Sequence, residues 1–267
     1  MTWEHFPATH RIGALQAMLF CTAVASGHAF AAESSLGVGA EYFDWKEATS
    51  PQVRETGPLV AATLHVMQDK EAGLVLGYRA KIWGGRVTYE GSTLFGNTPV
   101  SGKTGYMGIS NEIQLRWRRA GEQNRLDAVL GLGMDNWRRS LSSVQKEDYH
   151  IVYGRLGMAS AAADVRKWSA GLGVKYPLWT RENAYLNEIG FDSNPLLEPG
   201  GQVSAYADLG YRLADETQLV FYYDSFRFRK SPEVQTSAVS GGFSNVSIFQ
   251  PASTFAVIGI RIEQRIR

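Results

Sequence analysis

Between Leu36 and Ile266 the chain alternates apolar and polar residues with a period of two. That spacing makes strands with one greasy and one polar face, and no stretch sustains the helical period. Turn-forming residues divide the pattern into ten runs, at 35–46, 58–68, 72–89, 105–118, 125–138, 148–160, 167–179, 202–213, 217–229 and 254–265. Each is at least as long as the about 9–11 residues a tilted strand needs to cross a bilayer. In the last run Ala256, Ile258, Ile260 and Ile262 oppose Val257, Gly259, Arg261 and Glu263. In 167–179, Trp168, Ala170, Leu172, Val174, Tyr176 and Leu178 oppose Ser169, Gly171, Gly173 and Lys175. The phase breaks once, at Gly84-Gly85, where Ile82 and Val87 fall out of step; this predicts a β-bulge.

The connections alternate in length. Compact polar turns follow the second, fourth, sixth and eighth runs, at 69–71, 120–124, 161–165 and 214–216. The other links are longer, and the two longest span 180–201 and 230–253. An even-stranded up-and-down barrel sorts its connections in this way, with short periplasmic turns and long external loops. The expected fold is therefore all-β: an up-and-down antiparallel transmembrane β-barrel of about ten strands, formed by residues 32–267 as one domain. Lipid cannot satisfy open strand edges, so the sheet must close. The apolar face must turn outward, because a Lys or Arg at mid-bilayer costs about 2–4 kcal/mol. Along that face Trp117, Trp168 and Tyr211 fall near the periplasmic ends, and Tyr42, Tyr89, Tyr176 and Tyr223 near the external ends. Two such girdles suit the headgroup zones, with outer-membrane lipid and lipopolysaccharide as partners.

The N-terminus predicts how the chain gets there. Residues 1–11 are polar, 12–26 mostly apolar, and Ala29-Phe30-Ala31 offers a peptidase site. Residues 1–31 thus look like a cleavable signal peptide, which predicts export to the cell outer membrane. The single cysteine, Cys21, lies in this segment, so the exported chain carries no thiol into an oxidising compartment. Lys+Arg number 27 and Asp+Glu 26, a net charge of +1 that offers nothing to nucleic acid.

On the polar face seven acids (Glu41, Glu112, Asp127, Asp135, Asp208, Asp224, Glu263) meet seven bases (Arg79, Lys81, Arg116, Arg155, Lys175, Arg212, Arg261). In a narrow bore such a balanced set can pair. It can form a salt-bridged plug or line a thin polar passage. Two histidines follow the export segment. His65 lies on the polar face. His150 stands at the external rim beside Asp148, with Asp135 ending the neighbouring run. An Asp/His pair can serve as a general base, but Tyr153 and Arg155 define the polar face of that strand and put His150 on the other one. No catalytic residue is expected. No phosphate loop, metal-binding Cys/His spacing or HExxH stretch occurs, so no cofactor or metal is expected either. Loops 183–200, with Tyr185, Leu186, Phe191 and Leu196, and 231–250, with Gly241-Gly242-Phe243, carry apolar residues. These can fold over the mouth or bind an external ligand.

The export segment, the alternating runs (Glu41-Tyr42-Phe43-Asp44-Trp45 among them) and the amphipathic terminal strand resemble the small Gram-negative outer-membrane barrels. Those include the OmpA-like, opacity-like and porin-like superfamily and the ten-stranded omptin and adhesin types. The resemblance implies insertion by the barrel-assembly machinery and a non-enzymatic role, either structural or as a narrow porin-like passage for small solutes. It also admits a surface adhesin or ligand-binding barrel acting through its external loops, and an omptin-like or lipid-modifying enzyme. The aspartates and Asp/His pair of omptins have no residue-by-residue match here. The chain ends in Gln264-Arg265-Ile266-Arg267 where such families usually end in an aromatic residue.

The class makes one firm prediction: the protein fractionates with the outer membrane and its electrophoretic mobility in detergent shifts on boiling. Recovery in the soluble periplasmic fraction, with no shift, contradicts it.

Overall fold

A computed structural model describes residues 32–92, 98–119, 126–160 and 167–266. The expected signal peptide and the turns at 120–124 and 161–165 lie outside the described residues. The strands are β1 (Ala32–Glu47), β2 (Val53–Gln68), β3 (Gly73–Ser92), β4 (Pro99–Arg118), β5 (Leu126–Ser140), β6 (Lys146–Ser160), β7 (Trp168–Asn183), β8 (Leu196–Leu197), β9 (Gly201–Gln202), β10 (Ser204–Ala214), β11 (Thr217–Phe228), β12 (Val234–Ala238), β13 (Phe243–Ile248) and β14 (Ser253–Ile266). All ten predicted runs are present. Strands β1–β7, β10, β11 and β14 pair antiparallel in chain order, with β7 joining β10, β11 joining β14, and β14 returning to β1. The ring is closed, so its ten strands leave no edge. The described compact turns, at 69–71 and 214–216, lie at one end of the ring, and the links at 48–52, 141–145, 184–203 and 229–252 at the other.

The two faces are inverted relative to a soluble barrel. Ile258 and Leu172 are 64% and 62% exposed on the outer wall, whereas Arg261 and Lys175 inside are 6% and 2% exposed. Apolar outside and ionic inside is the arrangement a bilayer requires. Trp117, Trp168 and Tyr211 stand on the outer face at the turn end, the last two with ring centroids 4.7 Å apart. Tyr42, Tyr176 and Tyr223 stand on the outer face toward the loop end.

Three expectations are corrected. First, β3 has no bulge at Gly84-Gly85: its register with β4 runs unbroken from Gly73↔Arg118 to Ser92↔Pro99. Val87 is apolar because it faces inward into a buried cluster. Second, with no bulge to change the phase, Tyr89 lies on the inner face and lines the mouth, outside the aromatic girdle. Third, the phase breaks elsewhere: at the end of β10, between Arg212 and Ala214, and in β7, where the register shifts between Val152↔Trp179 and Tyr153↔Pro177. Leu178 and Trp179 both turn outward, which brings Thr180 and Glu182 inside. Pro177, which cannot donate a ladder hydrogen bond, sits at this irregularity.

The bore is also not uniformly ionic. Toward the loop end it is packed with Phe43, Trp45, Trp83, Val87, Tyr106, Trp137, Tyr149, Phe226 and Phe255. Inward glycines face arginines at Gly131↔Arg155 and Gly39↔Arg261, and aromatic rings at Gly108↔Trp83, Gly133↔Tyr153 and Gly259↔Tyr222. A Cβ at Gly133 would collide with the Tyr153 ring, and one at Gly259 with the Tyr222 ring. Each ring lies flat against a bare stretch of wall, a pairing that stabilises strands.

Gly133→Leu should therefore overpack the bore and destabilise the barrel by about 1–3 kcal/mol, read as a lower urea midpoint of the refolded protein in detergent. The outward Gly154→Leu, with nothing closer than 3.8 Å to a Cβ, should cost much less.

Candidate functional site at the long-loop mouth

From the turn end upward, the interior is built in layers. The lowest surrounds a chamber of about 410 Å³ lined by Asp208, Arg212, Arg116 and His65. Arg118 pairs with Asp127 (3.3 Å), and Arg261 with Glu263 (2.5 Å). Arg79 donates to His65 Nε2 (3.3 Å), and Arg116 to the Gln114 Oε1 (3.1 Å). Above it Arg155 meets Glu112 (3.1 Å), which also accepts from Tyr153 (2.9 Å). Lys81 meets Glu41 (2.7 Å), which accepts from Tyr222 (2.6 Å). Lys175 meets Asp224 (2.9 Å) and lies 3.6 Å from the Phe226 ring centroid. Asp135 accepts from Ser110 (2.7 Å). All fourteen residues expected on the polar face thus line the inside of the barrel.

The next layer is aromatic. Trp137 and Phe255 lie 5.1 Å apart, Trp83 and Phe255 5.7 Å, and Phe43 and Tyr106 4.6 Å, measured between ring centroids. These rings span the bore between the ionic layers and the mouth.

Above the rings lies a second ionic cluster that the sequence reasoning missed. Arg139 contacts Glu55 (2.5 Å), Glu147 (2.7 Å) and Glu47 (3.0 Å). Tyr106 donates to Glu55 (2.6 Å), Trp45 to Glu47 (2.9 Å) and Tyr149 to Glu147 (3.2 Å). Glu182 joins them, accepting from the Gln250 amide, in the orientation its surroundings favour, at 3.2 and 3.3 Å. Glu47, Glu55, Arg139, Glu147 and Glu182 all fall just beyond the ends of the predicted runs. Extending the period by one to three residues would have reached the first four; Glu182 lies beyond the β7 irregularity and was out of phase. The mouth thus adds four carboxyl groups and one guanidinium to the seven acids and seven bases read on the polar face, three of the carboxyls contacting Arg139 and the fourth, Glu182, the Gln250 amide.

The cluster floors a vestibule of about 860 Å³. Its walls come from the loops and from the ends of β3 and β4, where Tyr89, Lys103 and Thr104 line it. Ala184, Leu186, Phe191 and Ala238 form a buried cluster with Ile189, Val246 and Ile248, so the 184–203 link packs against the β12–β13 hairpin. Asp192 N–H donates to the Ser237 carbonyl (2.7 Å), and Ser193 and Thr236 share a hydrogen bond (2.7 Å). Of the apolar loop residues, Leu186 and Phe191 thus fold into the cover of the mouth, whereas Leu196 and Phe243 stay exposed.

Outside this mouth, Asp148 is held bidentate by Arg138 (2.7 Å twice) and accepts from Tyr185 (2.6 Å). Burial and the Asp148 carboxylate push the Tyr185 phenol up to about 12. His150 Nδ1 faces the Asn136 Oδ1 at 2.6 Å. Asp135 is inside the wall and His150 outside it, so the two do not form a dyad.

No family model matches the chain, and no curated protein does. Among solved structures it is similar to the outer membrane protease OmpT from Escherichia coli, with 10% identity and a TM-score of 0.48 over 88% of this chain and 96% of that one. The transport unit of the autotransporter AIDA-I from Escherichia coli follows, at 9% identity and a TM-score of 0.40 over 89% and 90%. The translocator domain of the autotransporter NalP from Neisseria meningitidis gives 13% identity and a TM-score of 0.35 over 97% of both chains. The chain is a transmembrane β-barrel of the outer-membrane type; its closed ring and inverted polarity carry that conclusion.

Arg139→Met should leave its carboxylates buried without their cation and destabilise the barrel by about 3–5 kcal/mol. Arg138→Met, which breaks the half-exposed rim pair, should cost about 0–1 kcal/mol. Comparable losses in detergent unfolding would show that the inner cluster is no more desolvated than the rim.

Proposed function

We propose that this protein is a non-enzymatic outer-membrane barrel that holds an external ligand at its mouth and passes no solute through its bore. The aromatic layer carries this reading. Trp83, Trp137, Phe226 and Phe255 pack edge and face between the vestibule and the ionic layers below, and side chains fill a ten-stranded barrel readily. A narrow porin-like passage, the other use of a polar inner face, has less support because that face ends against these rings. The non-enzymatic reading draws on the rim, where Asp148 is committed to Arg138 and Tyr185 and His150 faces an amide. The exposed leucines, isoleucines and tryptophans suit outer-membrane lipid and lipopolysaccharide, the barrel-assembly machinery is the expected partner during insertion, and residues 1–31 suit an export signal.

In planar bilayers the intact protein should give no conductance steps. A triple variant, Trp83→Ala with Trp137→Ala and Phe255→Ala, should give them, because it removes the layer that closes the bore. Steps from the intact protein would return the assignment to a solute passage.

A further inference from the structure

The vestibule floor gathers four buried carboxyl groups, Glu47, Glu55, Glu147 and Glu182, and one guanidinium in contact with them. Arg139 is shared by Glu47, Glu55 and Glu147. Glu182, 1% exposed, has the neutral Gln250 amide and no ion-pair partner among the described residues. A carboxyl withdrawn from water holds a proton or takes a cation against it, and a cation brought beside it favours the ionised form. A second, independent feature points to the same place. The Thr104 hydroxyl is buried, with 1% of the residue exposed, lines this cavity and has no hydrogen-bond partner.

The shape of the site narrows the guest. Among the described residues no three carboxylate or histidine side chains converge at metal-ligand spacing; most of these carboxylates are spread around Arg139. The upper walls are apolar, formed by Leu186, Ile189, Leu197, Ile248 and Phe249. The volume of about 860 Å³ suits a small organic molecule. We propose, resting on the vestibule reading above, that the mouth binds an organic cation. Its ammonium or guanidinium head lies against Glu182 and Glu147 within reach of Thr104, and its apolar body lies along Leu186, Ile189 and Phe249. Charge-assisted hydrogen bonds in a desolvated pocket supply selectivity for the head, and apolar burial supplies affinity for the body.

The test is calorimetric titration of the folded full barrel in detergent, with empty micelles subtracted, using phenethylammonium chloride, neutral 2-phenylethanol and calcium chloride. Folding of each variant is checked by the mobility shift on boiling. Phenethylammonium should bind at least about tenfold more tightly than the alcohol, Glu182→Gln should erase most of that preference, and Thr104→Val should weaken the ammonium severalfold. Asp44→Asn, on the outer rim, should change neither affinity. Equal affinity for ammonium and alcohol overturns the cation assignment while leaving an apolar vestibule in place. Binding of neither overturns both. Calcium that competes with the ammonium reassigns the carboxylates to a metal.

Discussion

Lipid offers no hydrogen bonds, and the architecture follows from that constraint. A strand in hydrocarbon must give every backbone N–H and C=O to a neighbouring strand, so a sheet can persist there only as a ring. Closure from β14 back to β1 and from β7 to β10 meets that condition. The ring then fixes where each side chain goes. Period two sends alternate residues outward, where Ile258 and Leu172 meet acyl chains, and inward, where every charge on the opposite phase is enclosed.

Enclosure is demanding, because a ten-stranded bore is scarcely wider than its own side chains. The chain fills it in two ways. Where ions occupy it, oppositely charged residues come from strands far apart in sequence, as in Lys81 with Glu41 and Lys175 with Asp224. Where rings occupy it, glycine on the facing strand lets each ring lie close to the wall, as at Gly133 beneath Tyr153. The two fillings are stacked along the axis, and the aromatic one separates the mouth from the ionic layers.

That separation gives the mouth its character. A rigid wall positions the loops. The 184–203 link and the β12–β13 hairpin share a small apolar cluster of their own. The result is a pocket with a charged floor, braced by Arg139 and the tyrosines around it, and greasy walls. Such a combination recognises chemistry through its floor and gains affinity through its walls, with no passage needed behind it.

The sequence by itself determined the fold. Ten alternating runs, sorted turn lengths and one phase rich in charge leave little choice but a closed barrel with its apolar side in lipid, since both follow from period two and the absence of water in a bilayer. It also determined the fourteen inward ions, because alternation alone assigns a face. The phase of single residues was less legible. Val87 and Tyr89 read as displaced by a bulge because an apolar residue on an otherwise polar face looks out of step, and only packing against other inward rings explains it. Which ion meets which, the aromatic layer and the Arg139 cluster were decided by tertiary structure alone. Their members are far apart in sequence, 92 residues between Arg139 and Glu47 and 181 between Tyr222 and Glu41, and they meet only because closing the ring brings those strands around a common axis.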